Sequence, residues 1–260
     1  MPVKNARKIT ALKHRKAREA GQKFLVEGIR LIQEALTSGA PVEQLVFDRE
    51  ALKTDDRLKQ IFQTAAARNI LIQQTDRRAL KHMGETRQPE GVLGVVRMPG
   101  WDRDRALDAN ALLLLDRIRD PGNLGLIQRT AEAAGVGALF LSKGSVELYN
   151  PKVVRASRGA IFRLPVFRNA DLSSLIQHLH ARSVRVLSAH LEGAPFYKVG
   201  RPDRFALLLG NETFGVDPAL STLVDSTLTI PMAKGVNSLN VAVAAGILLF
   251  RFREPRRGNA

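Results

Sequence analysis

Three short apolar segments of this sequence each run directly into a turn that contains glycine, and this pattern limits the fold more than any other feature. The segments are Ala111–Leu115, Phe205–Leu209 and residues 228–232, followed by DPGNLGLIQR, GNETFG and a loop over residues 231–240. Uninterrupted apolar runs of this length are typical of strands buried on both faces of a parallel sheet. Ligands of such sheets bind beyond the carboxyl ends of the strands. The pattern therefore predicts an α/β domain whose three turns meet at one site.

Residues 228–250 are predicted to form a buried strand, a polar loop and a long helix. Asn237 and Ser238 are good N-cap residue types, and the residues that follow are almost all apolar as far as Arg251. Such a composition predicts a helix that is buried nearly all round. The loop over residues 233–240 leaves backbone N–H and C=O groups available to a small polar ligand. A strand and helix that only complete a core would have the same pattern.

The order of apolar segments predicts two α/β domains joined by a linker. Residues 1–97 alternate short strands with amphipathic helices, which indicates a small N-terminal α/β domain. Residues 98–110 contain Pro99, Gly100 and a charged run, as expected of a linker. Residues 111–260 form the second domain, which we expect to contain a mostly parallel sheet. In it, Asn123 is predicted to cap a helix that runs to Gly135.

The charge of the chain favours a nucleic acid as partner. The sequence has 40 Lys and Arg against 25 Asp and Glu, a formal net charge of +15. A charge of this size attracts polyanions. Basic residues crowd the first two dozen positions, where they predict an arm that contacts phosphates, although a solvated helix has the same pattern. The candidate RNA contacts in this arm are Lys13, Arg15, Lys16 and Arg18.

Other classes of function have little support in the sequence. The absence of cysteine excludes disulfides and thiolate metal sites, and the five histidines lack zinc-type spacing, so we assign no metal. Neither the dinucleotide fingerprint nor a Walker loop is present. No apolar run is long enough to span a bilayer and no secretory signal is evident. We therefore expect a soluble, cytoplasmic protein without a membrane partner.

The polar residues of the three turns are the candidates for chemistry. Each of them also has an ordinary structural interpretation: a surface ion pair of Arg129 with Glu132, a turn held together by Glu212, and helix capping by Ser238 or Asn240. The full set of candidates is Asn123, Arg129, Glu212, Ser238 and Asn240. Arg129 is expected on roughly the same face of its helix as Asn123.

The three motifs taken together resemble the signature of the SpoU (TrmH) family of RNA ribose methyltransferases, in the SPOUT superfamily. The match runs in the order of that family through DPGNLGLIQRTAEAAG, LLLGNETFGV and IPMAKGVNSLNVAVAAGI, and YNPKVVRASRGAIFRLPV resembles its intervening segment. This resemblance covers residues 111–251. Residues 4–97 are similar to the family's N-terminal substrate-binding domain, which is related in fold to a small ribosomal protein.

The resemblance implies a homodimer that transfers the methyl group of S-adenosylmethionine to a ribose 2′-hydroxyl in RNA, with the C-terminal segment threaded into a deep trefoil knot. It assigns catalytic or substrate-contacting positions to Asn123, Arg129, Glu212, Ser238 and Asn240. It assigns cofactor binding to Leu209, Gly210, Asn211, Gly215, Ile230, Met232, Ser238 and Leu239. Arg155 and Arg158, in the basic intervening segment, are further candidate RNA contacts.

Three functions stay open at this stage. A 23S-type ribosomal RNA is the favoured methylation target, because the extra N-terminal domain suits a structured RNA, with transfer RNA as the alternative. A non-catalytic RNA-binding or ribosome-assembly factor with the same fold is the second possibility, and an α/β enzyme for a small anionic metabolite is the third. A guanidinium group stays protonated at neutral pH. The resemblance offers Arg129 as the base that removes the hydroxyl proton, but a protonated guanidinium is a poor base. The alternative is that Arg129 clamps the adjacent phosphate and the proton passes to phosphate or water.

Overall fold

The computed structural model describes residues 3–236 and 238–253. The chain forms two compact units, one of Met1–Gly100 with Tyr149–Arg163 and one of Trp101–Leu148 with Leu164–Ala260. We call them unit 1 and unit 2. Within the described residues, no helix is both long enough and apolar enough to cross a membrane.

Strands and helices alternate along most of the chain. The strands are β1 Lys23–Glu27, β2 Val42–Asp48, β3 Leu71–Thr75, β4 Val92–Arg97, β5 Ala111–Leu115, β6 Ala138–Ser142, β7 Val166–Ala170, β8 Arg185–Pro195, β9 Phe205–Leu209 and β10 Ser226–Thr229. The helices are α1 Ala6–Ala11, α2 Arg15–Gly21, α3 Ile29–Thr37, α4 Arg49–Thr54, α5 Asp56–Ala67, α6 Arg77–Met83, α7 Arg103–Leu107, α8 Pro121–Ala134, α9 Pro151–Ala156, α10 Leu172–Ala181, α11 Pro218–Ser221 and α12 Val241–Arg251.

Unit 1 contains a mixed sheet with the order β1-β4-β2-β3. Only β2 and β3 pair in parallel, whereas β4 pairs antiparallel with both β1 and β2. Apolar residues of α1 and α6, including Ile9 and Leu80, pack with Leu25, Val46 and Leu93 from the strands in one buried cluster. The burial of these side chains, which removes apolar surface from water, is what holds the short N-terminal helices in place.

Residues Tyr149–Arg163 belong to unit 1, although the division predicted from the sequence assigns them to the second domain, residues 111–260. The ring of Phe24 in β1 lies 4.6 Å from the ring of Tyr149 and 6.2 Å from that of Phe162, measured between centroids. Arg163 Nη1 also pairs with Glu34 Oε2 at 2.6 Å. Aromatic packing and an ion pair thus attach α9 and its flanking residues to β1 and α3.

Unit 2 contains a parallel sheet with the order β10-β8-β9-β5-β6-β7. All five strand pairings that the structure describes in this sheet are parallel. Every residue of β6 and β9 is buried, as expected of central strands covered on both faces. The predicted α/β class with a mostly parallel sheet is confirmed. Strands β5 and β9 are neighbours, with Leu115 opposite Leu209, so the turns after them lie side by side.

Two helices begin at residues other than those predicted. Helix α8 starts at Pro121, and Asp120 is its N-cap, because the fixed φ of proline suits the first helical position. Asn123 therefore lies in the first turn and is not the cap. Helix α12 starts at Val241 with Asn240 as N-cap, so Ser238 is not a cap either. Asn237 lies outside the described residues.

The C-terminal strand and helix also differ from prediction. The strand is β10 at Ser226–Thr229 rather than residues 228–232, so Pro231 and Met232 lie in the following loop. Helix α12 is not buried all round: Val243 and Phe250 are each 47% exposed, while Ala245 and Leu248 are buried. The helix therefore has one face on the core and an apolar face that unit 2 does not cover.

Candidate active site

Side chains from three separate segments meet at the carboxyl edge of the parallel sheet in unit 2. Asn123 in α8 donates from Nδ2 to Glu212 Oε1 in the turn after β9, over 2.9 Å. Asn240, the N-cap of α12, donates from Nδ2 to Asn123 Oδ1 over 2.8 Å. The three residues form one hydrogen-bonded row, which we call the Asn240–Asn123–Glu212 row. The structure thus brings together one predicted residue from each motif.

Helix caps fix the direction of this row. Asn240 Oδ1 accepts from the backbone N–H of Ala242 over 2.9 Å, which leaves its Nδ2 to face Asn123. An amide can donate only through its nitrogen, so Asn123 must offer Oδ1 to Asn240 and Nδ2 to Glu212. Asp120 Oδ1 accepts from the backbone N–H of Asn123 over 2.7 Å and holds the first turn of α8. Both asparagine side chains are therefore oriented before any ligand binds.

The turn that carries Glu212 is held by its neighbours. Asn211 is buried; its Nδ2 donates to the carbonyl of Arg117 over 2.8 Å, and its Oδ1 accepts from the backbone N–H of Thr213 over 2.9 Å. The backbones of Asn211 and Gly215 exchange two hydrogen bonds of 2.9 Å. A Cβ at Gly210 would lie 2.1 Å from the carbonyl carbon of Gly215, so only glycine permits this close approach.

A buried carboxylate, which the sequence analysis missed, links the two neighbouring turns. Asp116 follows β5 and is 3% exposed. Its Oδ2 accepts from the backbone N–H of Asp217 over 3.0 Å and pairs with Arg117, and its Oδ1 accepts from Ser142 Oγ over 3.1 Å. An acid placed directly after an apolar strand was the available signal. Asp116 therefore ties the end of β5 to the loop after β9.

A cavity of about 470 Å³ opens beside Glu212 in unit 2. Each residue for which the resemblance implies cofactor binding lines this cavity: Leu209, Gly210, Asn211, Gly215, Ile230, Met232, Ser238 and Leu239. Most of these residues are apolar or offer the ligand mainly their backbone. The volume lies within the range of small-molecule sites, roughly 300 to 1,000 Å³.

Strand β8 adds a wall of the cavity that was not predicted. Strand β8 extends to Pro195 and places Ala189, His190 and Leu191 at the cavity. Residues 190–194 are exposed, so they lack the apolar pattern that marks a strand. His190 Nδ1 lies 3.1 Å from the backbone nitrogen and 3.2 Å from the carbonyl oxygen of Glu192, so the backbone of Glu192 fixes the position of this ring.

Arg129 is not hydrogen-bonded to the Asn240–Asn123–Glu212 row. Six residues along α8 correspond to about 120° around the helix, so Arg129 does not share a face with Asn123, contrary to expectation. Its side chain is exposed and has no hydrogen bond or ion pair with any residue that the structure describes. Ser238 lines the cavity and is exposed. The predicted catalytic roles of both residues stay predictions.

The basic residues of the N-terminal arm are mostly engaged within unit 1. Arg18 is 3% exposed, and its Nη1 donates to the carbonyls of Leu12 and Lys13 over 2.8 and 2.6 Å. Lys13 Nζ donates to the carbonyl of His82, and Arg15 pairs with Glu19 at 2.8 Å. Arg18 thus holds α2 to the preceding turn, which gives it a structural role. Lys16, Arg155 and Arg158 are exposed.

No metal site is evident in residues 3–236 and 238–253, where no group of three or more His, Cys, Asp or Glu side chains could hold an ion. The arrangement at the sheet edge has two parts instead. The cavity offers apolar walls and backbone groups, and the adjacent row offers fixed amide groups and a carboxylate. Such a site can bind a small amphipathic molecule and orient a polar group of a second molecule next to it.

The parallel sheet, with a ligand-sized cavity and a polar row at its carboxyl edge, defines an α/β domain with a candidate small-molecule site at that edge. Residues 110–250 match the sequence pattern of the SpoU rRNA Methylase family, and residues 4–94 match that of the MRM3-like substrate binding domain. This chain belongs to the SpoU rRNA methylase family. The resemblance seen in the sequence is confirmed.

Individual relatives cover nearly the whole chain. The 23S rRNA (guanosine(2553)-2′-O)-methyltransferase RlmP of Bacillus subtilis is 35% identical over 240 residues, which cover 92% of this chain and 92% of the relative. Among solved structures, the SpoU methyltransferase AviRb from Streptomyces viridochromogenes in complex with AdoMet has a TM-score of 0.83 and 30% identity, covering 96% of this chain and 97% of that one. An AdoMet-bound rRNA methyltransferase from Sinorhizobium meliloti has a TM-score of 0.83 and 29% identity, covering 95% and 93%. These likenesses confirm the SPOUT fold class.

Proposed function

We propose that this protein transfers the methyl group of S-adenosylmethionine to a ribose 2′-hydroxyl of ribosomal RNA, with a 23S-type RNA as target. The observation that carries the proposal is the Asn240–Asn123–Glu212 row beside the cavity of unit 2, because it joins one residue from each family motif. The names of RlmP and AviRb supply the reaction class by analogy. Transfer RNA remains the alternative substrate.

The cavity residues fit S-adenosylmethionine. The walls formed by Leu209, Ile230 and Leu239 suit the apolar surface of the adenosine group, and the loop backbones after β9 and β10 offer hydrogen-bonding groups to its polar edges. When bound, the cofactor supplies a methyl group on a positively charged sulfonium. The cavity residues bind and orient the cofactor. We also propose the deep trefoil knot, which membership of the family implies.

The polar row positions the RNA hydroxyl. Asn123 and Asn240 are held by helix caps, so the position of the Glu212 carboxylate is set in advance, which is the main requirement for an in-line displacement. Glu212 and Ser238 both line the cavity and are the groups assigned to contact the ribose. Arg129 stays protonated, so we assign it to the phosphate beside the methylated ribose. The proton of the hydroxyl is then transferred to a phosphate or to water.

A second copy of the chain is proposed to cover the apolar surface of α8 and α12. Leu126 is 41% exposed on α8, and Val243 and Phe250 are each 47% exposed on α12, the helix that packs against α8. Exposed apolar patches of this kind mark interaction sites. A homodimer through these helices buries the patch and brings each Arg129 close to the interface. We also propose a cytoplasmic location for the protein.

Two measurements test the proposal. Calorimetric titration with S-adenosylmethionine, without RNA, is expected to give about one cofactor per subunit. Incubation with methyl-labelled cofactor and unmodified 23S-type RNA transcripts is expected to label the RNA. After alkaline hydrolysis the label should remain in a dinucleotide, because a 2′-O-methyl group prevents attack on the adjacent phosphodiester bond. Label on transfer RNA alone would favour the alternative substrate. RNA binding by folded protein without cofactor binding or transfer would favour a non-catalytic assembly factor.

A further inference from the structure

We propose that a cleft in unit 1 binds the phosphodiester backbone of RNA away from the methylated ribose, through Arg30 on one wall and Lys152, Arg155 and Arg158 on the other. We call it the basic cleft. Its volume is about 650 Å³. This inference rests on the proposed function, and it adds a second RNA contact area to the site at the sheet edge.

The two walls come from segments that are distant in sequence but packed together. Residues of β1, α3 and β4 form one wall, and α9 with the residues after it forms the other. The contacts of Phe24 with Tyr149 and Phe162 keep α9 against β1, so the walls belong to a single compact unit. Arg30 lies in the segment matched by the substrate-binding pattern, whereas Lys152 and Arg155 lie in the segment matched by the methylase pattern.

The acids of the basic cleft are already engaged. Glu27 accepts from the backbone N–H groups of Glu85 and Thr86 over 2.8 and 3.0 Å. Glu90 accepts from the backbone N–H of Ile29 over 2.8 Å. Glu34 pairs with Arg163 at 2.6 Å. Arg163 neutralises Glu34, whereas Glu27 and Glu90 keep their charges but are held against the loops by backbone N–H groups. The lining of the cleft therefore keeps a positive balance, with four cations against two uncompensated carboxylates.

The cations of the cleft have no such partners. Arg30, Lys152, Arg155 and Arg158 are all exposed, and none of their side chains has a hydrogen bond or ion pair within residues 3–236 and 238–253. By contrast, Lys53 on α4 pairs with Glu50 at 3.0 Å and Lys59 on α5 pairs with Asp56 at 2.7 Å, on surfaces outside the cleft. Four unpaired cations around one concavity create a local positive potential.

A polynucleotide fits this arrangement better than a compact anion. A site for a small phosphate holds its ligand with convergent, largely buried donors, whereas these four side chains stand along the rim of an open cleft. Phosphates repeated along a strand are neutralised by cations distributed in this way, and such contacts position the RNA without reading its sequence. The net charge of +15 supports the same partner.

The salt dependence of RNA binding tests the proposal, with a fluorescein-labelled oligouridylate as probe. Each phosphate contact to a single strand contributes about 0.7 to the slope of log affinity against log salt. The variant Arg30→Gln/Arg155→Gln, which removes one cation from each wall, is expected to flatten this slope by about 1.4. The matched control Lys53→Gln/Lys59→Gln removes the same charge from ion-paired positions of unit 1 and is expected to keep the wild-type slope.

Two further measurements separate this inference from other outcomes. The variant Arg30→Lys/Arg155→Lys keeps both charges and is expected to restore the slope, which a folding defect would not allow. A wild-type slope in the glutamine variant, or an equal change in the control, would overturn the proposal. Titration with S-adenosylmethionine reports on unit 2 alone. Absent cofactor binding together with a flattened slope would refute the methyltransferase proposal and leave the basic cleft in place.

Discussion

Asn123 Nδ2 lies 2.9 Å from Glu212 Oε1, although 89 positions separate the two residues in the sequence. The contact exists because β5 and β9 are neighbours in the parallel sheet and their turns leave the same edge. Asn240 extends it by a hydrogen bond to Asn123 from a third segment. The row is therefore a direct product of the strand order, and its geometry depends on three independent loops.

Replacing Asn123 by aspartate is expected to break this row. The substitution Asn123→Asp places two carboxylates against each other where a donor met an acceptor, and we expect cofactor affinity to fall roughly tenfold, about 1.4 kcal/mol. Adding Glu212→Gln restores a donor opposite the new carboxylate and is expected to recover most of that loss. Calorimetric titration and thermal unfolding of the four proteins of the cycle measure the coupling. Asn110→Asp, at an exposed position of unit 2, is the control. If the effects of Asn123→Asp and Glu212→Gln on cofactor affinity simply add in the double variant, the proposed pairing of the two residues is contradicted.

Gly210→Ala is expected to disrupt the turn that carries Glu212. The new Cβ would meet the backbone of Gly215 and Val216 at 2.1 Å, and backbone atoms yield less than side chains do. We expect a loss of about 3 kcal/mol in stability, at the upper end for overpacked sites, and a loss of cofactor binding. Gly200→Ala meets no atom within 4 Å. Its unfolding temperature and cofactor affinity should stay at wild-type values, and equal losses in both variants would disprove the steric argument.

Arg129→Ala is expected to reduce methyl transfer while cofactor affinity stays unchanged. Loss of a cation that stabilises the phosphate beside the reacting ribose should lower the transfer rate roughly 10²-fold. Arg129→Lys keeps the charge but not the bidentate geometry, so partial activity is expected. Single-turnover transfer to RNA and calorimetry make the comparison. Arg103→Ala, in α7 of the same unit, controls for loss of an exposed arginine. Full transfer by Arg129→Ala would remove Arg129 from the mechanism.

Leu126→Glu/Val243→Glu is expected to yield a monomer. Two charges in the exposed apolar surface of α8 and α12 oppose its burial against a second copy. Sedimentation at equal protein concentrations compares the variant with the wild type, which is expected to be a dimer. Leu71→Glu changes a residue of unit 1 that is 48% exposed and should not alter the assembly state. If the wild-type protein sediments as a monomer, the proposed homodimer is disproved.

Local sequence signals were sufficient to predict the bounds of an element where its residues form a continuous buried apolar run. Strands β5 and β9 have the predicted bounds, because continuous apolar runs mark them. The start of α8 was mispredicted, since the Asp-Pro pair before it was assigned to a turn although it suits an N-cap and the first helical position. Capping by Asn240 was one of the interpretations open in the sequence, but two other good capping residue types precede it, so the sequence did not single out this helix start.

The remaining features depend on contacts between distant segments. The second half of β8 is exposed, so nothing in its pattern indicates a strand, yet it pairs with β10 through Ala194 and Leu228 after a register shift. The role of Asp116 could not be predicted from the sequence, because it depends on which loop lies opposite this residue in the folded chain. The sequence grouped the five polar residues of the motifs by resemblance, but the strand order brings Asn123, Glu212 and Asn240 together, and the pitch of α8 turns Arg129 away from Asn123.

The packing of α9 on β1 has a consequence for the integrity of the chain. The backbone passes between the units at Gly100–Trp101, again before Tyr149 and again after Arg163. A protease that cuts only near residue 100 therefore does not release an independent N-terminal fragment, because Tyr149 and Phe162 still pack against Phe24. A shortened protein that begins after residue 97 would expose those aromatic rings to solvent, and its aggregation could be mistaken for loss of RNA binding.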